Sequence, residues 1–413
     1  MAALTPADWE VEIVDENVSP FVHQDADLVG LSADTASVTR AYELAAALRE
    51  AGRYVDTVVV GEAEGAWGKV ISDFEAGKMG SLYEGERVKL EGWPRPRHDL
   101  FKKAFFGVVQ TARGCPMNCE FCSVTSFNGG QYRQRPIEEV LDELETVSNK
   151  FLFFADDNIS PRGEEYEERA IALFEGMIKR KIKKWWWWCQ ASLDFAGNER
   201  VLAAAARAGC QMVFMGIEAE DRDTLTDLNK KTSLRADPDH FGEAFDRIHK
   251  HGIAILGAFI YGTDSDTPEK LRRRTDYIRD CGVDSLQATV LTPLPGTRLF
   301  ERLEKEGRLA FSDFPADWDH FNVTEVAFEP ALMTREELWE EITRNWKITM
   351  NRPAIGRRAY RTLRSTGRPV AAGWGLGVNV KYRELAWAVM ERYATGTRAF
   401  EGGSESPSKG GQR

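Results

Sequence analysis

Between residues 105 and 306 the sequence alternates six times between a short, almost wholly apolar run and a longer stretch of helical periodicity. The apolar runs fall at 105–113, 151–156, 185–193, 212–218, 254–261 and 285–291, and the helical stretches at 137–148, 164–181, 199–208, 238–251, 268–281 and 297–306. Successive strand side chains point to opposite faces. A run without a polar face is therefore buried on both, as in a parallel sheet covered by its own crossover helices. Six such units, rather than eight, predict an α/β fold built as a partial (β/α)6 barrel.

In a β/α barrel the reacting groups sit on the loops that leave the C-terminal ends of the strands. Here each strand delivers polar or Gly/Pro residues to that rim: Asp156-Asp157-Asn158 after the second, Gln190 to Asp194 at the third, Gly216-Ile217-Glu218 at the fourth, Gly262-Thr263-Asp264 after the fifth and Thr292 to Gly296 after the sixth. Helix capping explains any one carboxylate equally well; the repetition points to a site. The first strand leads into Cys115-Pro116-Met117-Asn118-Cys119-Glu120-Phe121-Cys122, which holds three of the six cysteines in eight residues. Zinc takes four tetrahedral ligands, and the next cysteine, Cys189, lies on another segment. A [4Fe–4S] cube held at three corners by Cys115, Cys119 and Cys122 would keep one iron free for an outside ligand. The competing reading is a zinc knuckle or three buried thiols.

The spacing C-x3-C-x2-C, with Phe121 before the last cysteine, resembles the signature of the radical S-adenosylmethionine (SAM) superfamily. The resemblance implies a TIM-like radical SAM barrel in which the open iron chelates SAM, and one electron splits it into methionine and a 5′-deoxyadenosyl radical. It also implies roles for rim residues. Asp156, Asp157 and Asn158 would hydrogen-bond the SAM amino group, Gln190, Ser192 and Glu218 would face its methionyl and ribose parts, the Gly257 to Gly262 backbone would run along the adenine, and Phe121 would pack near that ring. No catalytic residue is assigned. An electron donor such as flavodoxin or ferredoxin follows. The expected reaction is C-methylation, oxidative cyclisation or rearrangement of a hydrophobic small molecule. The alternatives are a non-catalytic iron–sulfur electron relay and a degenerate truncated copy.

Upstream, strands are expected at 11–15, 27–32 and 57–61, a helix at 38–51 stopped by Gly52, a second helix at 68–77, and a Pro-rich linker at 91–99. The stretches DLVGLSADT and DTVVVGEAEGAW resemble the Rossmann-like cobalamin-binding domain that precedes the barrel in one radical SAM subfamily. Where that subfamily has a further strand and a Gly- and His-containing loop, this chain has Arg53 and Tyr54. His23 lacks the surroundings of a cobalt ligand and reads as a surface histidine. The domain thus reads as a truncated remnant that binds cobalamin incompletely or not at all. The expected divisions are 1–97, a barrel at 98–314, a helical region at 315–400 and a disordered Gly/Ser tail at 401–413.

No apolar run approaches the ~18 residues of a membrane span, no signal peptide is evident, and the cysteines are not a disulfide framework, so a cytoplasmic protein is expected. A formal charge of −11 argues against a nucleic-acid partner. Beyond Pro315, Thr334 should cap a helix with Leu338, Ile342 and Trp346 on one face. From Arg352 to Arg398 ten Arg or Lys stand against two Glu. That region suits an anionic or lipidic substrate, peripheral contact with a membrane, or the acidic N-terminal unit. Of Trp185 to Trp188, two rings should enter the barrel and two lie under the helices, as core packing rather than substrate stacking. Cys189, Cys210 and Cys281 read as buried thiols without close partners.

Overall fold

The computed structural model describes residues 1–16, 21, 25–50, 57–101 and 104–395. His23, Gly52, Arg53, Tyr54 and the 401–413 tail lie outside the described residues. The six expected strands form: β1 Phe106–Val109, β2 Phe151–Phe154, β3 Trp186–Ala191, β4 Cys210–Glu218, β5 Ala254–Tyr261 and β6 Ser285–Val290. All are parallel and stand in sequence order from β1 to β6, with β1 and β6 left as the two edges of an open barrel. Helices Ile137–Thr146, Glu164–Lys179, Glu199–Ala208, Phe241–Lys250 and Pro268–Asp280 provide the crossovers, and Arg298–Lys305 follows β6. Their starts are set by side chains: Asn198, Thr267 and Thr297 each accept a hydrogen bond from a backbone N–H of the first turn. The first strand is shorter than expected. It ends at Val109, and Ala112–Arg113 instead pairs antiparallel with Arg133–Gln134.

Beneath the crossover helices, Trp187, Cys189, Val213, Met215, Ile255 and Phe259 form a continuous core with Leu144, Phe174, Leu202 and Ile248. The opposite face of the sheet is also occupied. After helices Arg335–Thr349 and Arg352–Thr366, the last helix, Pro369–Thr395, seats Ala371 among Met212, Ala254 and Leu256. Its Trp374 ring lies 4.2 Å from that of Trp186 and 5.5 Å from that of Phe106, and Tyr382 donates to Gln287 Oε1 at 2.9 Å. Trp186 and Trp188 therefore face inward, and Trp187 packs on Phe154 and Phe174 under the helices. Trp185 corrects the expected two-and-two burial: it is 66% exposed, with Lys150 over its ring, because β3 begins only at Trp186. Cys189 and Cys210 also differ from expectation. Their thiols, on adjacent strands, are close enough to hydrogen-bond, and burial pushes that of Cys189 well above its ordinary value.

The N-terminal region is a small βαβ unit. Val58–Gly61 and Leu82–Gly85 pair in parallel around helix Ala63–Glu75, and helix Val38–Glu50 precedes them. No strand forms at 11–15 or 27–32, which corrects the expectation for both. The alternation at 11–15 is real, since Val11 and Ile13 are half-buried between exposed Glu12 and Val14, but an extended segment satisfies it without a ladder partner. The Leu82–Gly85 strand escapes sequence reading because it is four residues long and includes Glu84 and Gly85.

Candidate active site

The cysteine loop is built on the end of β1. Thr111 donates its backbone N–H and its hydroxyl to the Asp156 carboxylate at 2.6 and 2.5 Å, and Arg169 donates to the Thr111 and Arg135 carbonyls at 2.9 and 3.0 Å. Asp156 is fully buried, and burial pushes its carboxyl up to about 6 against the pull of the Thr111 bonds. Its oxygens are committed to Thr111 and do not reach the rim, which corrects the SAM-facing role expected of it. The next residue does reach the loop: Asp157 Oδ2 accepts the Gly114 N–H at 2.8 Å. Gly114, just before Cys115, has φ +94°, and a Cβ there would lie 2.1 Å from the Gln131 carbonyl oxygen, so only glycine makes this turn.

Cys119 is buried, and Cys115 and Cys122 are half-buried. Burial pushes the Cys115 thiol up to about 11 and those of Cys119 and Cys122 in the same direction, helped by the like charge of neighbouring thiols at Cys115 and Cys122 and of Glu218 at Cys119. Such thiols stay protonated until a metal takes the proton's place. A recess of 220 Å³ opens beside them, lined by Asn118, Cys119, Glu120, Cys122 and Arg298 among others. Among the described residues no three His, Cys, Asp or Glu side chains converge closely enough for a single metal ion. Three thiols on one loop, two of them lining the recess, suit a larger cluster better than one zinc.

Facing the thiols is a cation that sequence reading missed. Lys230 Nζ pairs with Glu218 Oε1 at 2.7 Å and stands 6.0 Å from the Phe121 ring centroid. Burial disfavours its charge, but Glu218 and the nearby cysteines hold its pKa above the ordinary lysine value. Glu218 is itself buried, at φ +72°, where the β4–β5 register slips between Gly216 and Glu218. That irregularity turns the carboxylate onto the rim. Nothing in Asn229-Lys230-Lys231 marks this lysine, because two adjacent lysines after a short helix read as solvated charge.

The remaining expected residues divide. Asn158, Gln190 and Ser192 come together: Asn158 Nδ2 donates to Ser192 Oγ at 3.3 Å, and Gln190 Nε2 donates to the Asp156 carbonyl at 3.2 Å. Gly262 is at the rim with φ +106°. Gly257 is not, which corrects its expected place: a Cβ there would meet Val283 and Ile217 at 2.7 and 2.9 Å, so the glycine lets the covering core approach β5.

A larger cavity, of 2490 Å³, lies between the N-terminal segment, edge strand β1 and the end of the last helix; Trp9, Trp67, Gln110, Arg113, Leu385 and Val389 are on its wall. Arg113 links it to the cysteine loop two residues away. Its guanidinium reaches Glu64 at 2.7 Å, Glu62 at 3.3 Å and Gln110 Oε1 at 3.1 Å, and Glu62 also pairs with Arg133 and accepts the Val88 N–H at 3.0 Å.

The radical SAM superfamily profile matches residues 109–278, which contain the cysteine loop and the rim residues from Gln110 to Gly262. The chain is 27% identical over 409 residues to bacteriochlorophyllide d C-12(1)-methyltransferase of Chlorobaculum tepidum, covering 91% of this chain and 85% of that protein. It is 27% identical over 240 residues to the anaerobic magnesium-protoporphyrin IX monomethyl ester cyclase of Rubrivivax gelatinosus, covering 57% of this chain and 40% of that one. Among solved structures, the cobalamin-dependent radical SAM enzyme OxsB with aqua-cobalamin and SAM bound superposes with TM-score 0.58 at 15% identity over 85% of this chain. That likeness bears on the fold. OxsB is longer, and this chain spans 62% of it.

Proposed function

We propose that this chain is a radical SAM enzyme that methylates a carbon of a hydrophobic small molecule, with oxidative cyclisation or rearrangement as the alternative outcome. The observation that carries the reading is the meeting of three thiols on one rim loop with a buried, charged Lys230. The donor set fits a [4Fe–4S] cluster on Cys115, Cys119 and Cys122 with SAM beside it. Bound there, cluster and SAM supply one-electron cleavage of the sulfonium, the source of a hydrogen-abstracting radical. The protein's part is binding, orientation and exclusion of water. Lys230 suits a carboxylate in a recess of low dielectric, and Glu218, Asn158 and the free acceptor positions of Asp157 suit an ammonium, which only donates. Gln190 and Ser192 continue that polar strip, the Phe121 ring and the Gly262 turn suit a flat base, and Trp186 and Trp374 close the barrel from below.

A specific observation favours the methylating outcome. At 2490 Å³ the cavity beside Arg113 exceeds the ~300–1,000 Å³ of ordinary small-molecule sites and has room for a corrin as well as a substrate. Cobalamin is therefore proposed despite the reduced N-terminal unit. The 5′ side of the reaction requires an external one-electron donor of the flavodoxin or ferredoxin kind. The basic helix Arg352–Thr366 exposes Tyr360 and Leu363, which supports peripheral contact with an anionic lipid surface. Among the described residues no helix is long and apolar enough to cross a membrane. Six free cysteines accord with a reducing, cytoplasmic setting.

Anaerobic reconstitution with iron and sulfide, reduction in the presence of SAM, and quantification of 5′-deoxyadenosine test the reading. Cubane absorbance and nucleoside are expected from the parent protein, and neither from Cys119→Ala. Stoichiometric zinc with no nucleoside would overturn it. Corrin absorbance retained after desalting with hydroxocobalamin decides between the methylating and cobalamin-free outcomes.

A further inference from the structure

The cysteine loop is held on its far side by residues from three other strands' loops. Asn118, just before Cys119, sits at φ +54° and offers its carbonyl oxygen to two donors, Asn229 Nδ2 at 2.7 Å and Arg298 Nη2 at 2.6 Å. Glu120, just after Cys119, is held at three points. Its N–H donates to the Leu228 carbonyl at 3.1 Å, its carbonyl accepts the Leu299 N–H at 3.2 Å, and its carboxylate accepts from Arg302 Nε at 2.8 Å. Arg302 reaches on to Asp264 Oδ2 at 2.6 Å, and Arg308 holds the other oxygen of Asp264 at 2.7 Å. Cys119, the most buried of the three thiols, is thus bracketed by two residues that together receive or make five contacts to the loops after β4 and β6. Through Arg302 the loop after β5 joins them.

We propose that Arg298 and Arg302 are positioning residues for Cys119: they latch the cysteine loop to the opposite rim of the barrel and set the positive field in which its cluster is reduced. The inference rests on the reading of Cys119 as a cluster ligand. Two observations distinguish these arginines from ordinary surface charge. Arg298 lines the recess that Cys119 and Cys122 share and from there reaches the Asn118 carbonyl. Arg302 is two-thirds covered and bridges two carboxylates on different loops, a geometry its planar fork supports and a lysine's single ammonium does not. An exposed ion pair alone is weak. Here the pair adds to backbone bonds on both sides of the same residue, so removing it loosens one side of that clamp.

The test uses Arg302→Ala, the milder Arg302→Lys, Arg298→Ala and Glu120→Gln, each measured twice. In the apo-protein, amide hydrogen exchange over residues 117–122 should quicken about tenfold in Arg302→Ala and Arg298→Ala, with β4 and β5 unchanged, and Arg302→Lys should recover part of the protection. In the reconstituted protein, the midpoint potential should fall in Arg302→Ala, where a cation near an anionic cluster is lost, and rise in Glu120→Gln, where an anion is lost. Mechanical loosening alone would move both variants the same way. Unchanged exchange in both arginine variants, or potentials that shift in the same direction, overturns the proposal. A parent protein that takes up no cluster would overturn the radical SAM reading instead, while the exchange measurement still reports on the latch.

Discussion

Replacing Glu62 by Gln separates the charge that joins the N-terminal unit to the cysteine strand from the shape that carries it. The Glu62 side chain is 2% exposed, and its partners Arg113 and Arg133 are 18% and 16% exposed. At the 3.3 Å separation from Arg113 and an effective dielectric of about 20, one such attraction is roughly 5 kcal/mol before desolvation is subtracted. Breaking a buried pair by neutralising one partner costs about 3–5 kcal/mol. The upper end does not apply, because Arg113 keeps Glu64 at 2.7 Å, Arg133 keeps the Val88 carbonyl at 2.8 Å, and glutamine still accepts one hydrogen bond. A loss of about 2–3 kcal/mol is expected, equivalent to roughly thirty- to hundredfold faster opening at 1.4 kcal/mol per decade. Native-state hydrogen exchange at Val58–Gly61 and Leu82–Gly85 measures that opening locally. The pH dependence supplies a second check. Despite burial, Arg133, the Val88 N–H and Arg113 hold the Glu62 carboxyl below its ordinary value. Its contribution is therefore complete above the unfolded-state pKa of about 4.3 and is lost only as pH falls through the lower folded-state value. The gap between parent and Glu62→Gln should be as large at pH 5 as at pH 8. A gap below ~0.5 kcal/mol, or one already halved at pH 5, would refute the reasoning.

Two further outcomes follow from the same geometry. Lys230→Met should weaken SAM binding by at least tenfold in equilibrium dialysis and leave Glu218 buried without its partner; adding Glu218→Gln should restore the lost thermal stability but not the binding, whereas recovery of both would assign the pair a purely structural role. Trp187→Ala should cost about 3–5 kcal/mol in chemical denaturation and Trp185→Ala less than ~0.5 kcal/mol, because the first ring is fully buried and the second is 66% exposed; equal costs would contradict the start of β3 at Trp186.

The strand count, the parallel order and the cysteine loop were legible because each is written locally. An apolar run without a polar face has few places to go, and ligand spacing needs no knowledge of distant chain. What misled the reading of Asp156 and Gly257 was treating a rim motif as a block. Period two carries on past the last apolar residue: Asp156 shares a face with Leu152 and Phe154, all three fully buried, while Asp157 shares the other with Phe153. Gly257 likewise falls in phase with Ile255 and Phe259. That information was in the spacing. Lys230, Arg298 and Arg302 were a different matter: the partner of Lys230 lies back at the end of β4, those of the two arginines lie on the cysteine loop, and only closure of the barrel brings Glu120 to Arg302.

The last helix shows why the basic C-terminal region resisted a single assignment. Its charge is unevenly placed: Pro369 to Val380 carries no charged residue, and the basic and acidic side chains begin at Lys381. Small residues in the uncharged half let the backbone come close to the sheet, with Ala371 fully buried and a Cβ on Gly375 only 3.3 Å from Ser285 Oγ. Asn379 then ties the helix to the edge by donating to the carbonyl oxygen of Asp284 at 2.9 Å, while its bond to Gly375 at 2.7 Å stays within the helix. An apolar stripe on one side and exposed Val370, Leu376 and Val380 on the other leave no single helical periodicity to read. The consequence is functional. With Trp374 and Tyr382 occupying the lower barrel, the open spaces lie beside the cysteine loop and beside Arg113, and the proposed substrate is expected to enter there.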